Sequence, residues 1–265
     1  MNILEKIIID KRLSVAQAKS DKALEEFQHS LHYDRQTYSL KTKLANQNGP
    51  GIIAEYKRRS PSKGLINKSP TSPINVAVDY QKAGAVAVSV LTDTKYFGGT
   101  NSDLQSIRDH INIPILRKDF IIDTYQLHEA KAIGADVILL IGAVLSKDES
   151  QKLCDLAHAL NLEVLYEVHD QSEISKIPEN VDIVGINNRD LKAFKVDFKY
   201  SKKIYDQLPQ DVMKISESGI SQASTILDLH QKGFQGFLIG ETFMKTADPG
   251  KSCQDFISEC KTLMI

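Results

Sequence analysis

Cysteine is scarce in this chain. The 265 residues hold three, Cys154, Cys253 and Cys260, widely spaced and odd in number. They form no CxxC pair and no Cys/His cluster, which argues against a zinc site and a disulfide framework and fits a reducing compartment. Long apolar runs are missing too. The longest, residues 137–145, contains glycine and falls short of the roughly 18 residues needed to cross a bilayer. Residues 1–11 mix apolar with charged side chains and so lack the apolar core of a secretion signal. Formal net charge is only −1, leaving no global field to draw nucleic acid or an anionic membrane. The short basic run Lys57-Arg58-Arg59 does not change that balance. The expectation is a cytoplasmic protein with no nucleic-acid or membrane partner.

What the chain does have is a recurring unit. Short β-branched, apolar runs stand at 51–56, 86–91, 113–116, 137–141, 163–167, 183–187, 213–216 and 236–239. Runs that are apolar almost throughout suit parallel strands buried on both faces. Helical patterns fill several gaps, at 74–83, 124–133, 147–160 and 221–232, and Gly84, Gly134 and Gly233 stand where a left-handed stop belongs. "KAGAVAVSVL", "AIGADVILLI" and "QKGFQGFLIG" repeat one design of helix end, glycine turn and strand. Repeated β-α units imply a parallel sheet with right-handed crossovers. Eight of them in this length favour an α/β fold of the closed (β/α)8 type, the TIM barrel, with an open doubly wound sheet as the alternative. Residues 1–48 read as a helical extension and 49–265 as the eight β/α units of a single domain. Within the extension, 2–19 reads as an amphipathic helix with Ile3, Ile7, Leu13 and Ala16 near one stripe. Such an extension either plugs or covers the barrel, or closes over a substrate as a lid.

In such barrels the reactive groups lie at the carboxyl ends of the strands. Here those ends carry Glu55 and Lys57, then Lys118, Glu167, Asn187-Asn188-Arg189-Asp190, Glu217-Ser218-Gly219 and Gly240-Glu241. Alternation puts Glu55 and Lys57 on one face and turns Tyr56 away from it. Any single one of these charges could be a structural ion pair. Several converging on one mouth make a candidate acid–base set, because buried charges must be paired or useful. "SESGI" and "LIGET" present glycine between strand and helix after the last two strands, where backbone N–H groups can receive a phosphate. His128, His158, His169 and His230 are scattered and read as surface or packing residues, so no metal is expected.

The block "IIAEYKRRSPSKG" resembles the first-strand signature of the indole-3-glycerol phosphate synthases. "YFGG", "ILRKDFIIDTYQLHEAKAIGADVILLI", "VLYEVHD", "GINNRDL", "ISESGI" and "FLIGETFM" are similar to that family's blocks in the same order, and "ILEKIIIDKRLSVAQAK" to its amino-terminal extension. The resemblance implies ring closure, decarboxylation and dehydration of 1-(2-carboxyphenylamino)-1-deoxyribulose 5-phosphate, with no metal or organic cofactor. It implies Lys118 as the general acid at the substrate carbonyl and Glu167 as base, or orienter of a donor, in the dehydration. Glu55 would hold the lysines, Lys57 would face the anionic groups or donate a second proton, and Asn187 and Glu217 would bond the reacting region. Ser60 and Arg189 fall among the substrate contacts. Ser218, Gly219, Gly240 and Glu241 would cradle the phosphate. Pro61, Phe97, Phe120, Leu139 and Leu191 would form the slot for the aromatic ring, with plain core packing as the competing reading. Arg59 stands where the family often has a small residue. Thr124 replaces a frequent proline at a helix start, where its hydroxyl can cap. The rivals are a phosphoribosylanthranilate isomerase-like barrel, which would need a strand-end cysteine that this chain lacks, and a non-catalytic metabolite-binding barrel. A monomer or weak homo-oligomer is expected.

Overall fold

Strands buried on both faces hold only where a second layer covers each side. The computed structural model describes residues 2–67, 71–189 and 195–264, and there the runs close into a barrel. Its strands are β1 (Gly51–Tyr56), β2 (Ala87–Leu91), β3 (Ile115–Lys118), β4 (Val137–Ile141), β5 (Glu163–Val168), β6 (Ile183–Asn187), β7 (Met213–Glu217) and β8 (Gly236–Ile239). Every neighbouring pair is parallel, and β1 pairs with β8 from Gly51↔Gly236 to Ala54↔Ile239. That closure removes the sheet edge, so the (β/α)8 barrel stands and the open sheet does not.

The helices are α1 (Ile3–Asp21), α2 (Leu40–Ala45), α3 (Pro73–Ala83), α4 (Thr94–Phe97), α5 (Asn101–Arg108), α6 (Tyr125–Ala132), α7 (Lys147–Ala159), α8 (Phe198–Tyr205), α9 (Ala223–Lys232), α10 (Glu241–Met244) and α11 (Pro249–Leu263). Capping explains several of their limits. Ser146 and Glu149 form a reciprocal box at the start of α7, and left-handed Gly84 and Gly233 end α3 and α9. Thr124 is a correction to the sequence reading: its side chain caps nothing. Asp123 Oδ1 instead accepts from the Tyr125 N–H at 2.9 Å, and Gln126 Oε1 accepts from Ile122 at 2.8 Å.

The core has two shells. Outside the barrel, Tyr56, Val88, Ile138, Tyr166 and Phe237 pack beneath the helices. Inside, alternate residues Ile53, Leu116, Leu139, Leu165, Ile215 and Leu238 fill the centre. Leu40 and Leu44 of α2 join that inner cluster and plug the amino-terminal end. Half-buried Glu163 receives the first turn of α2, accepting from Leu40 N–H at 2.8 Å and Lys41 N–H at 3.0 Å. The extension therefore spans the barrel from end to end. Its other helix, α1, lies across the opposite mouth, where Lys11 bonds Asp119 at 2.7 Å and Asp93 at 2.9 Å. Between them the chain runs along α6, with Phe27 edge-on to Tyr125. Of the expected stripe on α1, Ile3 and Ile7 face inward, but Leu13 is 68% exposed and Ala16 is also exposed; the inward face continues instead through Lys11, Val15 and Ala18. Among the described residues no helix is long and apolar enough to cross a membrane.

Candidate active site

The inward residues at the carboxyl ends of the strands line one cavity of about 540 Å³ beneath α1. It brings together Glu55, Lys57, Ser60, Pro61, Phe97, Lys118, Phe120, Leu139, Glu167, Asn187, Arg189, Glu217, Ser218, Gly219, Gly240 and Glu241. Leu191 lies outside the described residues, as does Asp190.

Alternation along β3 sends Lys118 inward and Arg117 and Asp119 outward. Arg117 is buried, held by Glu129 at 2.5 Å and Asp119 at 3.3 Å, and so anchors the strand end from behind. Inside, Lys118 Nζ donates to Glu167 Oε2 at 2.6 Å and to Glu217 Oε2 at 2.5 Å. Burial works to lower the pKa of the lysine. The carboxylates of Glu167, Glu217 and Glu55 outweigh that and raise its pKa well above the ordinary value. Burial likewise works to raise Glu167, but Lys118 and His169 beside it hold its carboxyl well below the usual range. Glu217 goes the other way. Burial, reinforced by the Glu167 charge, pushes it up to about 7 against the pull of Lys118. The three groups thus share one site and titrate together, with Glu217 the carboxyl pushed toward neutrality. Gly185 makes room for this arrangement: a Cβ there would sit 2.0 Å from Glu217 Oε1.

Glu55 pairs with Lys57 at 2.6 Å, while Lys118 makes its hydrogen bonds to the other two glutamates. Asn187 Nδ2 donates to Glu167 Oε1 at 3.3 Å and its Oδ1 accepts from Arg189 N–H at 3.0 Å. Next to it Asn188, buried, donates to the carbonyls of Glu217 and Ser218 at 2.7 and 2.8 Å and fixes the turn after β7. In that turn Ser218 and Gly219 both take positive φ, 70° and 77°. A Cβ on Gly219 would meet Val196 at 2.5 Å, so only glycine fits. This turn and the start of α10 form the polar end of the cavity. Lys63 and Arg189 reach Glu241 there, at 3.7 and 3.6 Å. The apolar side holds Phe97 and Phe120, with ring centroids 6.1 Å apart, below Ile3, Leu4 and Ile7 of α1.

One lining residue corrects the sequence reading. His169 is not at the surface: its side chain is 8% exposed and packs against the Lys118–Glu167–Glu217 cluster, with Nε2 at 3.1 Å from Glu167 Oε1. The signal was available: continuing the alternation of β5 puts Leu165, Glu167 and His169 on one face. Among the described residues no group of three or more His, Cys, Asp or Glu is arranged to hold a metal ion.

The sequence matches the family model for indole-3-glycerol phosphate synthase over residues 4–256. An indole-3-glycerol phosphate synthase of Bacteroides thetaiotaomicron is 46% identical, across 97% of this chain and 98% of its own. One from Salinibacter ruber is 41% identical, across 99% and 98%. Among solved structures, one titled as KGPDC from Streptococcus mutans superposes with a TM-score of 0.61 at 13% identity, covering 82% of this chain and all of its own (100%). The tryptophan synthase complex of Pyrococcus furiosus contributes a chain with a TM-score of 0.57 at 12% identity, covering 80% and 97%. At such identities these structures support the barrel fold alone.

Proposed function

The chain belongs to the indole-3-glycerol phosphate synthase family, and from that premise we propose how its cavity performs the family's reaction. The enzyme is a carboxy-lyase of tryptophan biosynthesis acting on a phosphorylated aromatic substrate, 1-(2-carboxyphenylamino)-1-deoxyribulose 5-phosphate. The observation that carries the reading is Lys118, fixed between Glu167 and Glu217, with a pair of aromatic rings on one side and a glycine turn on the other.

The aromatic ring enters between Phe97, Phe120, Pro61 and Leu139, under α1. The phosphate sits against the backbone N–H groups of Ser218, Gly219, Gly240 and Glu241, with Ser60 and Arg189 closing over it. The ring carbon that bears the carboxylate then attacks the ketone carbon. Negative charge grows on the ketone oxygen, and Lys118, kept cationic by its carboxylates, meets it and supplies the proton. Carbon dioxide leaves and the ring regains its aromaticity. The new hydroxyl takes a proton from Lys57 and departs as water while a proton is lost from the methylene carbon beside nitrogen. Glu167 takes that proton, held ready in the ionised form. Asn187 orients Glu167, Glu217 holds Lys118 in place, and Lys57, paired with Glu55, faces the substrate's anionic groups. The chain works as one domain in the cytoplasm, as a monomer or weak homo-oligomer, and needs no organic cofactor.

The test is turnover of the carboxyphenylamino-deoxyribulose phosphate, followed by indole fluorescence, which the absence of tryptophan leaves unobscured. Glu167→Gln should lose most of its turnover. Turnover at the wild-type level with an unaltered pH profile would remove Glu167 from the mechanism.

A further inference from the structure

The reaction scheme does not use His169, an ionisable residue of the cavity whose side chain is only 8% exposed. His169 follows β5 and lies between two carboxylates: Glu167 Oε1 at 3.1 Å from Nε2, and Glu173 Oε2 at 3.8 Å from Nδ1. Glu173 comes from the short 3-10 turn Gln171–Lys176 and is itself buried. Its carboxylate is pinned, because Oε2 also accepts the His169 backbone N–H at 2.8 Å. On the far side of Glu167 stand Lys118 at 2.6 Å and Asn187 at 3.3 Å. The four groups form a row, Glu173, His169, Glu167 and Lys118, that runs from behind the barrel rim into the cavity.

We propose that His169 is a positioning residue for the acid–base pair, a cationic backstop that locks the Glu167 carboxylate toward Lys118 and keeps it ionised. The argument is one of charge order and geometry. Glu167 has one oxygen on Lys118 and the other facing His169 and Asn187. Without the imidazole, that second oxygen retains only a neutral amide at 3.3 Å in a site shielded from water. Both carboxylate neighbours of the ring favour its charged form. Burial acts against that charge, yet Glu167 and Glu173 together push the imidazole up to about 9, so it is cationic across the neutral range. Neither ring nitrogen has a well-aligned hydrogen-bond partner, so charge carries most of the contact.

The inference rests on the assignment of Glu167 above, and the test separates the two. His169→Leu removes both charge and donor; His169→Gln keeps a donor without the charge. The Leu variant should lose about 10- to 100-fold in kcat with KM little changed, the size expected when a reacting group drifts by about an ångström. The acid limb of its pH profile should move up toward the ordinary carboxylate range, because Glu167 has lost a cation. The Gln variant should recover part of kcat but keep the displaced limb. Unchanged kcat and acid limb in the Leu variant would overturn the proposal, and so would a raised KM at full kcat, which would mean direct substrate contact. If the Leu variant fails to fold, the acid limb of the Gln variant decides, and an unmoved limb overturns it. Full turnover by Glu167→Gln in the same assay would point instead to a failure of the Glu167 assignment itself.

Discussion

Removing the Lys118 ammonium should cost stability in a way that depends on pH. In Lys118→Met the Glu167 and Glu217 carboxylates lose the cation between them. Their Oε2 atoms both lie within 2.6 Å of the same nitrogen, so they are at most about 5 Å apart. At an effective dielectric constant of about 20, two unit charges at that separation repel by about 3 kcal/mol. That agrees with the roughly 3–5 kcal/mol lost when a buried ion pair is broken from one side. The variant can escape by binding protons. Both folded-state carboxyls then have pKa values above their unfolded values, so the folded state holds protons that the unfolded state releases, and stability falls as pH rises above about 4.5. In the wild type Glu167 is held low and contributes no such fall above the carboxylate range, so only the Glu217 share of it is present. The gap between the two proteins should therefore be small near pH 5 and should open to about 6–12 °C in Tm near pH 8, at roughly 2–4 °C per kcal/mol for a chain of this size. His169 still faces Glu167, which limits the loss. Calorimetric melts at the two pH values measure it. A gap equal at both, or smaller at pH 8, would refute the electrostatic reasoning. The same variant should lose at least about 100-fold in turnover, and near-normal turnover would remove Lys118 as the acid.

Other perturbations separate chemistry from architecture. Glu217→Gln keeps the shape and removes a carboxyl pushed up to about 7; because that group's stabilising proton is lost as pH rises from about 4.5 through 7, the variant should melt higher relative to wild type at pH 8 than at pH 5, and the reverse order would contradict the raised pKa. Leu44→Ala opens the plugged end of the barrel and should cost about 2–5 kcal/mol in denaturant unfolding with KM unchanged; a raised KM would mean that the two ends of the barrel communicate. Lys11→Met releases α1 from Asp93 and Asp119, and should raise KM several-fold through the loosened roof over the aromatic slot, as steady-state kinetics would show; an unaltered KM would make α1 a purely structural cover.

The barrel was legible because burial on both faces leaves an unmistakable apolar signature, and the eight runs mark their strands to within one or two residues. The convergence of charged strand ends on one mouth was legible through alternation, as Glu55 and Lys57 illustrate. The helices that escape notice are those whose signal is weak: α5 is short and carries buried Asp103 and Arg108, and the face of α1 toward the mouth includes Lys11, a charge buried by two carboxylates. Apolar periodicity cannot detect a stripe built partly of ion pairs. His169 escapes for another reason. Weighed as one scattered histidine it looks incidental, and only its phase with Glu167 places it at the site.

The extension that roofs one mouth and plugs the other also governs the order in which the chain can become native. Lys11 must find Asp119, 108 positions later, and Ser39 must find Glu163, 124 positions later. The extension leaves the ribosome before the barrel and has no place to dock until β3 and β5 exist, and the inner cluster that receives Leu44 includes Leu238 of β8. Such distant pairings form late and carry a high loop-closure cost. Folding of this barrel should therefore end with the extension that precedes it, an assembled but open cylinder awaiting its two seals, its apolar interior exposed meanwhile to chaperones and to aggregation.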